Sequence, residues 1–267
     1  MKIDVVVDEN KCIVCGDCIS KCTNYRISIV DGQIHISDDN CNLCGHCQAV
    51  CKQKAIKVYS DSLSDEDYNF SLKISSEDMS NYMRSRRSIR MYKENEIPIN
   101  ILEEIMDTVR FAPSAINIQD TKWTIINGKE KCDKLESLMI DYLKENLKNQ
   151  TPLSQTINIE GIIQSYQDGK NPLLRGAPTI IVAKTTEGPY TNTNATIATT
   201  YLELLLPSYN LGSCWAGFLK MCSEYPPIKE YLKINNNEHM AEGLMVGYPN
   251  EEYCNIPKRN KINVDYI

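Results

Sequence analysis

Twelve cysteines stand in this chain, and eight of them fall between positions 12 and 51 in two runs of one spacing. They read Cys12-x-x-Cys15-x-x-Cys18-x-x-x-Cys22 and Cys41-x-x-Cys44-x-x-Cys47-x-x-x-Cys51. So dense a segment folds around disulfides or around metal. The first ten residues are polar and charged and offer no apolar stretch for a signal peptide. No run approaches the roughly eighteen apolar residues of a membrane helix. A cytoplasmic location is expected, where thiols stay reduced and available to metal.

Three thiolates at this spacing wrap one loop around a cube of iron and sulfide, and the fourth, one helical turn on, points towards a second cube. Cys12, Cys15, Cys18 and Cys51 are therefore expected to hold one 4Fe-4S cluster, and Cys41, Cys44, Cys47 and Cys22 the other. Gly16 and Gly45 follow the second cysteine of each run, where the chain approaches the sulfides closely. Zinc would favour Cys-x-x-Cys pairs a dozen or more residues apart. His46 lies inside the second run, but the cysteine count is already complete, so it is read as a surface or supporting residue. This stretch resembles bacterial-type two-cluster ferredoxins, with Thr23 and Lys52 standing where that family usually has Pro.

Three segments are expected: residues 1–60 as the cluster-binding domain, 61–80 as an acidic linker, and 81–267 as a larger α+β domain. Within the first, Ile27, Ile29, Ile34 and Ile36 flank Asp31-Gly32, a hairpin signal, and residues 55–59 supply another strand. The linker carries Asp61, Asp65, Glu66, Asp67, Glu77 and Asp78 against Lys73, a solvated composition. Further on, Asn100 and Glu103 form a capping box before the apolar face of Ile101, Leu102, Ile105, Met106 and Val109, a helix ended by Pro113. Residues 123–126, 179–183 and 240–246 read as strands. Leu135, Leu138, Met139, Tyr142 and Leu143 mark a second helix, with Cys132 on its buried face, and residues 195–206 form a third. The net charge of -6 gives no basic footprint for nucleic acid.

Residues 84–90 read Arg-Ser-Arg-Arg-Ser-Ile-Arg, which alone would be a solvated patch. A helix and then Ala112-Pro113-Ser114-Ala115-Ile116-Asn117-Ile118-Gln119 follow. Arg175-Gly176-Ala177-Pro178, the stretch 210–218 around Cys214-Trp215-Ala216-Gly217, Val246-Gly247-Tyr248-Pro249 and Pro257-Lys258-Arg259 continue the series in order. Together they resemble the FMN-dependent nitroreductase family, over roughly the last 185 residues; Asp120 departs from its usual Pro.

That resemblance implies a mixed sheet flanked by helices, and FMN as cofactor. Arg86, Arg87, Ser88 and Arg90 would bind it, with Arg259 and Lys258 adding phosphate contact, since a guanidinium fork matches a phosphate dianion. Trp215, Ala216 and Gly217 would bring backbone amides to the flavin's reactive edge. Pro113, Ser114, Ala115 and Asn117 would reach the flavin held mainly by a partner subunit, placing FMN at a homodimer interface. No catalytic side chain is expected, because the redox chemistry belongs to the flavin. The expected activity is transfer of electrons from two clusters to FMN and on to a small organic acceptor, a nitro compound, quinone or activated alkene. The donor is left open between ferredoxin and NAD(P)H. The rival readings are an NAD(P)H-dependent flavin reductase whose clusters relay electrons outward, and a non-catalytic carrier or redox sensor.

Overall fold

The structure is a computed structural model that describes residues 3–37, 41–61, 63 and 73–267. It divides into two compact units, one of residues 1–73 with 115–118 and one of residues 74–114 with 119–267. Half of the expected linker lies outside the described residues; its last residues open a helix of the second unit.

In the first unit Asp31 and Gly32 both adopt positive φ (50° and 78°), the geometry of a two-residue hairpin turn. They join β2 (Ile27–Val30) to β3 (Gln33–Ile36), with Ile27 opposite Ile36. A second antiparallel pair links β1 (Ile3–Val7) to β4 (Ile56–Ser60). Helices α1 (Asp17–Lys21) and α2 (His46–Val50) complete the unit. The core is small: Cys18, Ile27 and Ile56, with Val5, Val7, Ile34 and Val50 against them. So little apolar burial rarely holds a domain of this size without a staple.

The second unit begins with α3 (Ser76–Ser85) and α4 (Ile99–Val109). The expected capping box does not form. The helix starts at Ile99 with Pro98 as cap, and the Pro98 carbonyl accepts from Ile101 and Leu102 N–H. Proline's fixed φ preorganises that start, which leaves Asn100 inside the helix. Leu102, Ile105 and Val109 are buried as the periodicity implies.

Four strands follow, β5 (Lys122–Asn127), β6 (Thr179–Thr186), β7 (Gly212–Trp215) and β8 (Glu238–Gly247), in the order β5-β6-β8-β7. Their ladders are antiparallel, and the parallel element is an isolated bridge between Ser88 and Ser213. Alternate residues of the two central strands serve opposite faces. Ile180, Val182 and Met245 join a core with α5 (Lys129–Lys148), while Ile181, Leu244 and Val246 join α4 and α8 (Thr191–Leu205). The short helices α6 (Pro152–Thr156), α7 (Ile159–Gln167), α9 (Gly217–Cys222) and α10 (Pro226–Tyr231) are the others; α7, α9 and α10 bury Ile159, Leu219 and Ile228 on the α5 side. A sheet between two helical layers is an α+β solution, and both central strands are buried along most of their length. Cys132 is buried on α5 as expected, its thiol pushed up to about 12, chiefly by desolvation. Among the described residues no helix is long and apolar enough to cross a membrane.

Candidate functional site

The two cysteine runs are backbone copies. Val14 and Leu43, Gly16 and Gly45, and Tyr25 and Lys54 all take positive φ, each pair at the same offset as Cys12 and Cys41. Gly16 and Gly45 sit immediately before α1 and α2, and the fourth cysteine of each run, Cys22 or Cys51, closes its helix. An N–H four residues later donates to that sulfur: Arg26 to Cys22 Sγ at 3.4 Å, and Ala55 to Cys51 Sγ at 3.2 Å.

Two cavities result, and the runs are crossed between them. Cys12, Cys15, Cys18 and Cys51 line one; Cys22, Cys41, Cys44 and Cys47 line the other, with exposed His46 at its edge. Among the described residues no group of three His, Cys, Asp or Glu side chains converges tightly enough for a single metal ion. Each set of four thiols instead surrounds a space, the donor arrangement that a cube with four separate irons requires. Burial raises the Cys18 and Cys47 thiols above their ordinary range, so binding of metal there is coupled to proton release.

The arginine run of the second unit divides between two clefts. Ser88 bridges to Ser213, and Ile89 N–H donates to the Ser213 carbonyl at 2.9 Å, which fastens the run beside β7. Arg86 and Arg87 then lie in a cleft with Glu203, Glu251 and Tyr253. Arg86 Nη1 is paired with Glu203 Oε1 at 3.1 Å, and Arg87 Nε is buried without a hydrogen-bond partner among the described residues. Arg90 lies in a separate cleft of about 380 Å³ with Arg175, Trp215, Gly217 and Phe218, over apolar Leu173 and Met245. A Cβ built on Gly217 would have no atom within 4 Å, so space is open in front of it.

Other expected residues are placed differently. The Ala216 N–H already donates to the Gly243 carbonyl at 2.8 Å, so of the three expected amides this one serves the sheet. Pro113, Ser114, Ala115 and Asn117 line neither cleft. Ser114 Oγ accepts from Gln119 N–H at 3.0 Å. Asn117 belongs to the first unit, where its amide donates to the Asn42 and Leu43 carbonyls at 3.0 and 3.1 Å. Lys258 and Arg259 are exposed in a tail without helix or strand. Arg175, Phe218 and Glu203 were not singled out for any role by the sequence; a charged residue opening Arg-Gly-Ala-Pro before a strand was the available signal for the first.

Arg175 follows a loop pinned from within the core. Glu136, 1% exposed on α5, accepts from Leu173 N–H at 2.8 Å and from Asn171 Nδ2 at 3.2 Å. Desolvation raises its carboxyl above the ordinary 4.5. The folded chain therefore holds this proton where the unfolded chain has released it, and folding stability falls as pH rises above 4.5. Glu136→Gln keeps an acceptor for Leu173 and removes the charge. Its unfolding midpoint is expected to fall less than the parent's over that range, and equal slopes in paired denaturant titrations would refute this.

A profile of the nitroreductase family matches residues 83–248, and one of a 4Fe-4S dicluster domain matches residues 4–52. An iodotyrosine deiodinase of Thermotoga neapolitana is 25% identical over 194 residues, 68% of this chain and 94% of that protein. A Methanothermobacter thermautotrophicus protein provisionally named an NADH dehydrogenase/NAD(P)H nitroreductase is 29% identical over 63 residues, 24% of this chain; the match spans only 33% of that protein's length. The crystal structure of a Bacteroides fragilis nitroreductase with bound FMN aligns with TM-score 0.58 and 18% identity, over 70% of this chain and 97% of that one. The chain belongs to the nitroreductase family of oxidoreductases and carries a 4Fe-4S dicluster domain ahead of it.

Proposed function

We propose that this chain is an iron–sulfur flavoprotein that accepts electrons singly at two 4Fe-4S clusters and passes them through FMN to a small organic acceptor. The observation that carries this is the crossed arrangement of four thiols around each of two cavities. Cys12, Cys15, Cys18 and Cys51 hold one cluster and Cys41, Cys44, Cys47 and Cys22 the other. FMN, when bound, supplies the conversion between one-electron and two-electron chemistry. Arg90 and Arg175 present cations to its ring edge, where negative charge develops on reduction, and the bare Cα of Gly217 lets that ring approach. Arg86, Arg87 and Ser88, with Lys258 and Arg259 from the tail, hold the phosphate. The unpartnered Arg87 Nε is a donor suited to it.

The functional form is a homodimer with FMN at the interface, supported by α3, which buries none of its residues in the single chain and exposes Met79 and Met83. The acceptor class is a nitro compound, quinone or activated alkene, and the site works in the cytoplasm, where its thiols stay reduced. The test is anaerobic reconstitution followed by stopped-flow reduction with reduced ferredoxin, NADH or NADPH. Reduced ferredoxin is expected to bleach the cluster absorption first and the flavin after it. Flavin bleaching by NAD(P)H ahead of the clusters would reverse the proposed direction, and a chain that retains no flavin would sink the proposal.

A further inference from the structure

The two halves of the cysteine unit match in backbone but not in charge. Four residues after Cys22 stands Arg26, and four after Cys51 stands Ala55, each donating its N–H to the cysteine sulfur. Arg26 is 7% exposed and lines the cavity of Cys22, Cys41, Cys44 and Cys47. Its Nε and Nη2 reach Ser37 Oγ at 3.4 Å, while Nη1 is buried with no hydrogen-bond partner among the described residues. A guanidinium does not deprotonate to escape burial. Left unpaired it is costly, and an anion in the cavity beside it would remove that cost. A second repeat position points the same way. Asp17 lines the cavity of Cys12, Cys15, Cys18 and Cys51, whereas its counterpart His46 lines the other. One cavity thus has a carboxylate at its wall, and the other has a buried cation.

We infer that Arg26 is a positioning residue that separates the two cluster sites in reduction potential, making the site of Cys22, Cys41, Cys44 and Cys47 the easier to reduce. The inference rests on both cavities being 4Fe-4S sites. Reduction adds one electron to a cluster from an external reductant and neither makes nor breaks a bond. The reduced cluster carries one more negative charge, so a buried cation favours it and a nearby carboxylate disfavours it. Lys21 and Lys52, one at each cavity, are exposed and their fields are screened. The first electron to arrive therefore rests on the Cys22 site.

The test uses the full chain as parent, Arg26→Gln, Arg26→Lys and Asp17→Asn, each assayed for iron and then titrated with dithionite under electron paramagnetic resonance. The parent is expected to show two separate one-electron steps. Arg26→Gln should lower the higher step by about tenfold in its equilibrium constant, about 59 mV, and leave the lower step in place. Arg26→Lys should restore most of the shift, and Asp17→Asn should raise the lower step. Retained clusters with both steps at parental values in Arg26→Gln, or movement of the lower step instead, would overturn the inference. If Arg26→Gln fails to load iron, Asp17→Asn decides, and an unmoved lower step overturns it. A parent that takes up no iron would instead sink the reading of the cavities as cluster sites.

Discussion

Cys51→Ala is expected to halve the iron and sulfide of anaerobically prepared protein, from about eight to about four of each per chain. The surviving cluster should be the one held by Cys41, Cys44, Cys47 and Cys22, although Cys51 belongs to the same run as the first three. Paired substitutions separate the crossed arrangement from a run-by-run one. Cys12→Ala combined with Cys51→Ala removes two thiols from one cavity and should still leave about four irons. Cys41→Ala combined with Cys51→Ala removes one from each and should leave almost none. The opposite pattern, with the first pair empty and Cys41→Ala plus Cys51→Ala half-loaded, would refute the assignment. Cys132→Ala, on α5 with its buried sulfur facing the Ile126 carbonyl, should load fully and lose only packing stability.

The two arginines at either end of Arg-Arg-Ser-Ile-Arg should fail in different ways. Arg90 is exposed at the rim of the cleft that Trp215 and Gly217 share. Arg90→Ala should weaken flavin retention by about ten- to a hundredfold, the loss of about 1.5–3 kcal/mol from a charged contact, with the unfolding midpoint nearly unchanged. Arg86→Ala should weaken flavin too, but it also leaves Glu203 buried without its cation. Arg86 is itself 28% exposed, so solvent relieves part of that cost, and the expected loss is about 1–3 kcal/mol. Adding Glu203→Gln to Arg86→Ala should return much of the stability without returning flavin. Equal flavin occupancy in parent and Arg90→Ala would show that the cleft holds something else. Unchanged stability in Arg86→Ala would show that the ion pair is merely superficial.

What could be read from the sequence was whatever periodicity or spacing encodes. The hairpin at Asp31-Gly32, the buried stripe of Leu135, Met139 and Leu143, and the buried strand beginning at Thr179 depend on local rules and stand where those rules put them. Strand β1 was missed because Asp4 and the neighbouring charges made the first ten residues look solvated; pairing with β4 across the unit overrides that local signal. The capping box failed for a comparable reason, since Pro98 starts the helix a residue before Asn100 can cap it. The arginine run was legible as a feature, but its division between two clefts was not. That division depends on the bridge from Ser88 to Ser213 and on the carboxylate of Glu203, partners far away in sequence. Arg26 was invisible for the opposite reason: nothing near it in the chain marks an arginine that folding will bury.

The crossing of the fourth cysteines bears on how this unit is assembled and lost. With both cavities filled, Cys51 is tied back to Cys12, Cys15 and Cys18, and Cys22 forward to Cys41, Cys44 and Cys47, so two chain loops are closed, one inside the other. Closing loops removes freedom chiefly from the unfolded chain, and the apolar core there is too small to substitute for it. Neither half can complete a cluster without the other: the cube of Cys22, Cys41, Cys44 and Cys47 has its full set of thiolates only once a nascent chain passes residue 47, and the cube of Cys12, Cys15, Cys18 and Cys51 only past residue 51. Oxidative loss of one cluster would open one loop and loosen the other. For this unit, exposure to oxygen is then a matter of survival against proteases as well as of electron transfer.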